Sequence, residues 1–191
     1  RYTELVQSVA AGPARVLDFG ASWGYIGYQL QEAGYRVEGF ELSPTRAAFG
    51  RQQLCLPIYS TWEELREEGP MPRFDVVFTA HTLEHTYDLW SALGRLAEAV
   101  VPGGTLVAIV PNGGGRLARE HGVGWTPFIG ETHTIALTAD WFRQNLYRHG
   151  FEPVEQFCLE EGSGRDLTCD GEELVCVARA RARSGGRGAV R

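Results

Sequence analysis

The stretch Leu17 to Gly27, LDFGASWGYIG, constrains this chain more than any other. Val16, Leu17 and Phe19 are strand formers, and Gly20, Gly24 and Gly27 follow at spacings of four and three. A buried strand must therefore stop in a turn and open directly into a helix. Glycine permits that turn and lets a ligand approach the backbone closely. Asp18 is an acid in a strand that otherwise reads as core. A second apolar strand, Tyr35 to Phe40, ends in Glu41. That is about 20 residues beyond the turn, where an acid in a doubly wound sheet accepts hydrogen bonds from both ribose hydroxyls. Turn and acid together read as a nucleoside cofactor site.

The glycine spacing narrows the cofactor. A dinucleotide fingerprint is G-x-G-x-x-G, whose glycines and helix N-terminus hold a pyrophosphate. Here the pattern is D-x-G-x-x-x-G-x-x-G, with Asp18 two residues ahead of Gly20. A carboxylate there repels a diphosphate and suits a ligand carrying positive charge. The chain resembles the class I S-adenosylmethionine-dependent methyltransferases at this motif and at three more. VEGFELS (Val37 to Ser43) is similar to their ribose-binding motif, FDVVFTAHTLEH (Phe74 to His85) to their fourth strand and its turn, and VVPGGTLVAIVPN (Val100 to Asn112) to their fifth strand. The LEH triplet resembles small-molecule methyltransferases related to ubiquinone-biosynthesis enzymes. Similarity spans about Val16 to Phe151.

The resemblance implies an α/β, Rossmann-like fold with a seven-stranded mixed sheet in the order 3-2-1-4-5-7-6, its last strand antiparallel, and helices on both faces. The chain's own pattern agrees with alternating strands and helices. Strands are expected near Arg15–Phe19, Arg36–Phe40, Pro57–Tyr59, Asp75–Thr79, Thr105–Val110, Phe151–Leu159 and Glu173–Arg179. Helices are expected near Thr3–Ala10, Tyr25–Ala33, Pro44–Leu54, Trp62–Glu67, Tyr87–Val100 and Ala139–His149. Ser43-Pro44 is a helix start, and Gly34, Gly69, Gly103 and Gly150 fall where helices should stop. Residues 1–179 are read as one methyltransferase domain, and 180–191 as a disordered basic tail. The start at Arg1 leaves room for a missing N-terminal piece, which related enzymes use in the acceptor pocket. Pro111 to Leu137 shows little periodicity and reads as a long functional loop.

The 191 residues carry a net charge of −6, which disfavours broad contact with nucleic acid. All 18 basic residues are arginine, so lysine catalysis is excluded within the chain. Cys55, Cys158, Cys169 and Cys176 show neither a C-x-x-C pair nor metal spacing, and the first, second and fourth read as buried free thiols. No apolar run is long enough to span a membrane. A cytoplasmic protein is expected; nothing specifies its oligomeric state.

The resemblance implies S-adenosylmethionine as cofactor, leaving as S-adenosylhomocysteine. Gly20, Ala21 and Gly24 would pass under the methionine moiety, Asp18 would order the turn and anchor the amino group, and Glu41 would hold the ribose. Trp23 either covers the methionine chain or packs on the first helix of the sheet. Relatives place an acid after the third strand for adenine; this chain lacks an aspartate there, leaving Thr61 and Trp62 as adenine candidates. Ala80 and His81 would touch the cofactor through their backbone. Glu84 reads as part of a helix-start hydrogen-bond network, and His85 as either that or an acceptor-pocket residue. His133, His85 and His81 are the candidate general bases. No metal constellation stands out, so a catechol-type metal mechanism is not expected. The leading expectation is methyl transfer to a small-molecule or glycan-type acceptor at oxygen, with Trp125 and Phe128 closing over a bulky acceptor. Methylation of protein or RNA, and a silent cofactor-binding scaffold, are the alternatives.

Overall fold

Apolar residues on both faces of the strands give this molecule a core on each side of a single sheet. The computed structural model describes residues 1–71, 73–129, 133–159 and 164–182. After helix α1 (Tyr2–Val9), strands and helices alternate as β1 (Arg15–Phe19), α2 (Tyr25–Glu32), β2 (Arg36–Phe40), α3 (Pro44–Gln53), β3 (Ile58–Tyr59), α4 (Trp62–Glu67) and β4 (Phe74–Ala80). A 3-10 turn (Leu83–His85), α5 (Leu89–Ala99) and β5 (Val100–Pro111) follow. Then come α6 (Arg116–His121), α7 (Thr126–Ile129), α8 (Ala139–Asn145), β6 (Phe151–Leu159), β7 (Arg165–Asp166) and β8 (Glu173–Ala180).

Among the described residues the sheet has eight strands in the order β3-β2-β1-β4-β5-β8-β6-β7. Strands β1 to β5 pair in parallel, and β8 runs antiparallel to both β5 and β6. The expected order is therefore present, with one addition. The two-residue β7 pairs with the end of β6 inside the connection that the sequence presents as a polar hairpin. Strand β8 also runs one residue further than expected, and the Arg181 amide donates to Gly150 O at 2.8 Å. The remainder of the expected basic tail, 183–191, lies outside the described residues.

Successive strand residues point to opposite faces. Leu17, Val77, Leu106, Ala108, Val110, Leu174 and Cys176 join Trp62, Leu93, Leu96, Phe142 and Leu146 in one core. Val16, Val76, Phe78, Val107, Ile109 and Val175 join Leu5, Val6, Leu30 and Ala47 in the other. Strands buried on both faces are what helices packed on both sides require. Gly103, expected to stop a helix, lies inside β5 instead. The strand starts at Val100, and a Cβ at Gly104 would fall 2.8 Å from Asp75 O, so only glycine lets the chain cross there.

The region from Pro111 to Leu137 is not the structureless loop expected. It holds α6, a 3-10 turn at Gly122–Gly124 and α7. Elements this short carry too few turns to show a helical period, which is why the pattern hid them. Asn112, 1% exposed, pins the entry: its Nδ2 donates to Cys169 O at 2.8 Å and Gly171 O at 2.9 Å, and its Oδ1 accepts from Gly114 N at 3.1 Å. Cys158 and Cys176 are buried free thiols as expected, whereas Cys55 is exposed, with φ of 53°. No helix among the described residues is long and apolar enough to cross a membrane.

Asn112→Ala would remove the side-chain partner of three part-buried backbone groups at once. Each unpaired buried polar group costs about 1–3 kcal/mol. Urea unfolding should show a loss of at least about 2 kcal/mol; an unchanged midpoint would show that Asn112 does not pin this connection.

Candidate active site

The carboxyl ends of β1, β2 and β4 meet at one edge of the sheet, where a doubly wound fold binds its ligands. Gly20, at φ +82°, donates its amide to Phe40 O at 2.8 Å, and Ala21 donates to the same oxygen at 3.0 Å. A Cβ on Gly20 would lie 2.0 Å from Thr82 Oγ1. The turn after β1 and the turn after β4 are thus in direct contact, and glycine is required for that approach. Gly27 serves a different purpose: its missing side chain lets α2 settle onto Leu56 and beside Asp18.

Gly24 is also left-handed, at φ +89°. A Cβ there would meet Ile58, Leu56 and Leu54 at 3.1–3.4 Å, so it points into the core and not into ligand space. A larger residue at Gly24 would act through backbone strain and packing. Trp23 packs edge-on against Phe49 of α3, with ring centroids 5.3 Å apart, so it packs on the second helix of the sheet and not on the first as expected.

Asp18 is 2% exposed, and its Oδ2 has no hydrogen-bond partner. Burial pushes its carboxyl up to about 7, against the Gly27 amide, which donates to it and favours ionisation; nearby Glu41 pushes it further up. Glu41 is 9% exposed. Its Oε2 accepts from Ser22 N at 2.9 Å and its Oε1 from Ser43 N at 2.8 Å. Those bonds fix the carboxylate while leaving each oxygen a lone pair for a ribose hydroxyl. Leu42, 75% exposed, follows directly and offers an apolar surface beside that acid.

At the third strand, the Thr61 side chain is spent as the N-cap of α4, accepting from Glu64 N, while Glu64 returns a bond to Ser60 N at 2.8 Å. This cap commits the Thr61 hydroxyl to the helix start and leaves its backbone, the part expected to meet adenine, untouched. Trp62 is 2% exposed and packs on Phe40; its Nε1 and Ser60 Oγ are buried polar atoms without partners. The orphaned atoms of Asp18, Ser60 and Trp62, together with the Gly20 turn and Glu41, form a donor and acceptor set that fits an adenosyl ligand with a charged amino group.

Beyond β4, Ala80 is half-buried and His81 takes a left-handed conformation at φ 51°, its amide donating to Ile109 O. The His81 ring lies 2.7 Å from Glu173 Oε1 through Nε2 and 3.5 Å from Glu84 Oε1 through Nδ1. Glu173 first, then Glu84, raise its pKa to about 9 despite partial burial. An imidazolium has no lone pair with which to take a proton, so His81 is ill suited to the expected base role. Tyr2 of α1 donates to Glu173 at 3.0 Å, and burial with Glu173 pushes its hydroxyl up to about 12. The sequence gives no sign of this cluster, since Tyr2, His81 and Glu173 come from three distant segments.

His85 and His133 meet with ring centroids 4.5 Å apart. The His133 segment is held there by its neighbour: the Thr134 amide donates to Glu84 O at 2.9 Å, and its hydroxyl bonds to the same turn. One donor atom each of Glu84, His85 and His133 lies within 4.8 Å of the others. Glu84 joins the helix-start network through its backbone oxygen, while its carboxylate is 2% exposed and, apart from His81 Nδ1 at 3.5 Å, has no hydrogen-bond partner within ordinary distance. Leu83 is a core residue. Trp125 is 5% exposed against Phe128, so it anchors its segment and is not poised to swing over an acceptor; Phe128 remains 47% exposed.

Residues 1–156 match a family described as a methyltransferase domain. The curated ubiquinone biosynthesis O-methyltransferase of Rhodopseudomonas palustris (strain HaA2) is 26% identical over 151 residues, covering 74% of this chain and 60% of that protein. Its counterpart in Bradyrhizobium diazoefficiens is 30% identical over 104 residues, covering 53% and 41%. The chain spans about half the length of the curated relatives it matches. Among solved structures, the Burkholderia thailandensis 1,6-didemethyltoxoflavin-N1-methyltransferase, with bound 1,6-didemethyltoxoflavin and S-adenosylhomocysteine, shares the fold. It does so at a TM-score of 0.69 and 20% identity, covering 95% of this chain and 77% of that one. With the match running over 1–156 and the sheet order of that fold in place, the chain belongs to the methyltransferase-domain family, in the class I S-adenosylmethionine-dependent group.

Proposed function

We propose that this chain uses S-adenosylmethionine to methylate a hydroxyl of a small-molecule or glycan-type acceptor. The observation that carries the reading is the contact of the two turns at Gly20 and Thr82. On this reading the Gly20 turn of the nucleoside cradle lies against the turn that leads into Glu84 and His85. The names of the curated relatives support oxygen as the methylated atom. A net charge of −6 argues against a nucleic acid acceptor. The free cysteines support a cytoplasmic setting.

In this reading Asp18 anchors the amino group, Glu41 the ribose, and Ala21 and Ala80 line the cofactor with backbone. Trp62 and Ser60 face the adenine. The acceptor oxygen attacks the methyl carbon in line with the sulfur. The C–S bond breaks with its electrons returning to sulfur, S-adenosylhomocysteine leaves, and the hydroxyl proton is given up at the histidine corner. Alignment and exclusion of water supply most of the acceleration, because the sulfonium carbon is already activated.

Glu41→Ala should weaken S-adenosylhomocysteine binding by about 1.5–3 kcal/mol, on the order of 10- to 100-fold in Kd. Calorimetry giving unchanged affinity in a folded variant would contradict the cradle. Binding should also carry a proton signature. With its carboxyl near 7, Asp18 is partly protonated in the free protein at mildly acid pH. The ligand's ammonium favours the carboxylate, so binding should release a proton there and tighten as pH rises from about 6 to 8. Calorimetry in two buffers of different ionisation enthalpy reads this directly; identical enthalpies at mildly acid pH would exclude Asp18 from the amino-group site. His133→Ala should cut turnover by on the order of 10²–10⁴ while leaving S-adenosylhomocysteine affinity within about twofold. Equal losses in both would move His133 to the cofactor.

A further inference from the structure

Glu84 poses an energetic problem that the cofactor site does not answer. A carboxylate 2% exposed with no hydrogen bond to either oxygen is costly to bury unless a cation meets it. The His81 imidazolium reaches only Oε1, at 3.5 Å, and is itself held more tightly by Glu173 at 2.7 Å. Two imidazoles come close to Glu84, His85 from the same 3-10 turn and His133 from the segment that Thr134 fastens to that turn. Their donor atoms and a Glu84 oxygen all lie within 4.8 Å of one another.

We propose that Glu84, His85 and His133 form a binding site for a divalent transition-metal ion such as Zn2+, Co2+ or Fe2+. Two imidazoles and one carboxylate are borderline donors that suit these ions better than Mg2+ or Ca2+, which take oxygen almost exclusively. Donors on one such ion sit about 3–3.5 Å apart, so the three side chains close by about 1–1.5 Å around it, a shift that side-chain rotation supplies. Glu84 is buried, His133 half-buried and His85 exposed, so the ion would be anchored from below and open on its outer side. Three protein ligands leave a position free for an exchangeable oxygen. On the O-methylation reading above, that position takes the acceptor hydroxyl and lowers its pKa, so that its proton passes to solvent water, with the imidazoles acting as ligands in place of free bases. The sequence hides the site because His133 is far from the LEH triplet and Glu84 alone reads as a helix-start acid.

The chain, stripped with EDTA and desalted, should be titrated with Co2+ alone and with Zn2+ against a chromophoric chelator. One equivalent of Co2+ should give visible d–d bands, and its paramagnetism should shift the His85 and His133 ring resonances. Loss of a group that only orients a ligand costs 10–100-fold in affinity. His133→Ala and His85→Ala should each weaken Zn2+ by more than about 100-fold, and Glu84→Gln should do so if it folds. Absence of stoichiometric binding, or Zn2+ affinity unchanged in the two histidine variants, would overturn the site. S-adenosylhomocysteine affinity measured on the stripped protein separates the two readings: it should persist without metal, so a failed metal site leaves the cofactor assignment standing.

Discussion

The contact between Gly20 and Thr82 is the constraint on which the site depends. Because no Cβ fits between them, the turn after β1 can lie against the turn after β4, and on the proposed reading this brings cofactor and acceptor together. Glu41 completes the arrangement by accepting from Ser22 N and Ser43 N, which ties the ends of β1 and β2 into one rigid rim. A methyltransferase needs little chemistry from its side chains and much positional accuracy, and this rim supplies it.

Charge is distributed around that rim with a division of labour. Asp18 lies beneath the glycine turn, where burial keeps its carboxyl near neutrality and ready to respond to a cationic ligand. His81 is held as a cation by Glu173 and Glu84, and Tyr2 carries the same cluster to α1. The first helix is thereby joined to the start of β8 across the mouth of the site. His85 and His133 stand beside the buried Glu84 carboxylate, a grouping whose donor atoms suit the proton removal or metal binding proposed for it.

Much of this was legible in the residues. Strand periodicity and the punctuation by Gly20, Gly34 and Gly150 located the elements, because those signals are local. Glu41 is singled out by its distance to the turn, and the structure places its carboxylate at the ends of β1 and β2. Thr61 and Glu64 carry a helix-start signal that commits the Thr61 hydroxyl to α4 and leaves its backbone, the part expected to meet adenine, untouched. Trp125 and Gly24 show another limit. A bulky or absent side chain announces that something is close, and only the tertiary packing says whether it is ligand or core. The Tyr2, His81 and Glu173 cluster and the meeting of Glu84, His85 and His133 are products of topology and carry no local mark.

The central claim is that one sheet edge presents the adenosyl group to Glu41 and the reacting sulfur to the Glu84, His85 and His133 corner. A crystal structure of the chain with S-adenosylhomocysteine tests this most directly. The account predicts both ribose hydroxyls on the Glu41 carboxylate, the amino group above Asp18 and the thioether sulfur facing that corner. A nucleoside bound away from Glu41, or a sulfur turned from the histidine pair, would contradict it.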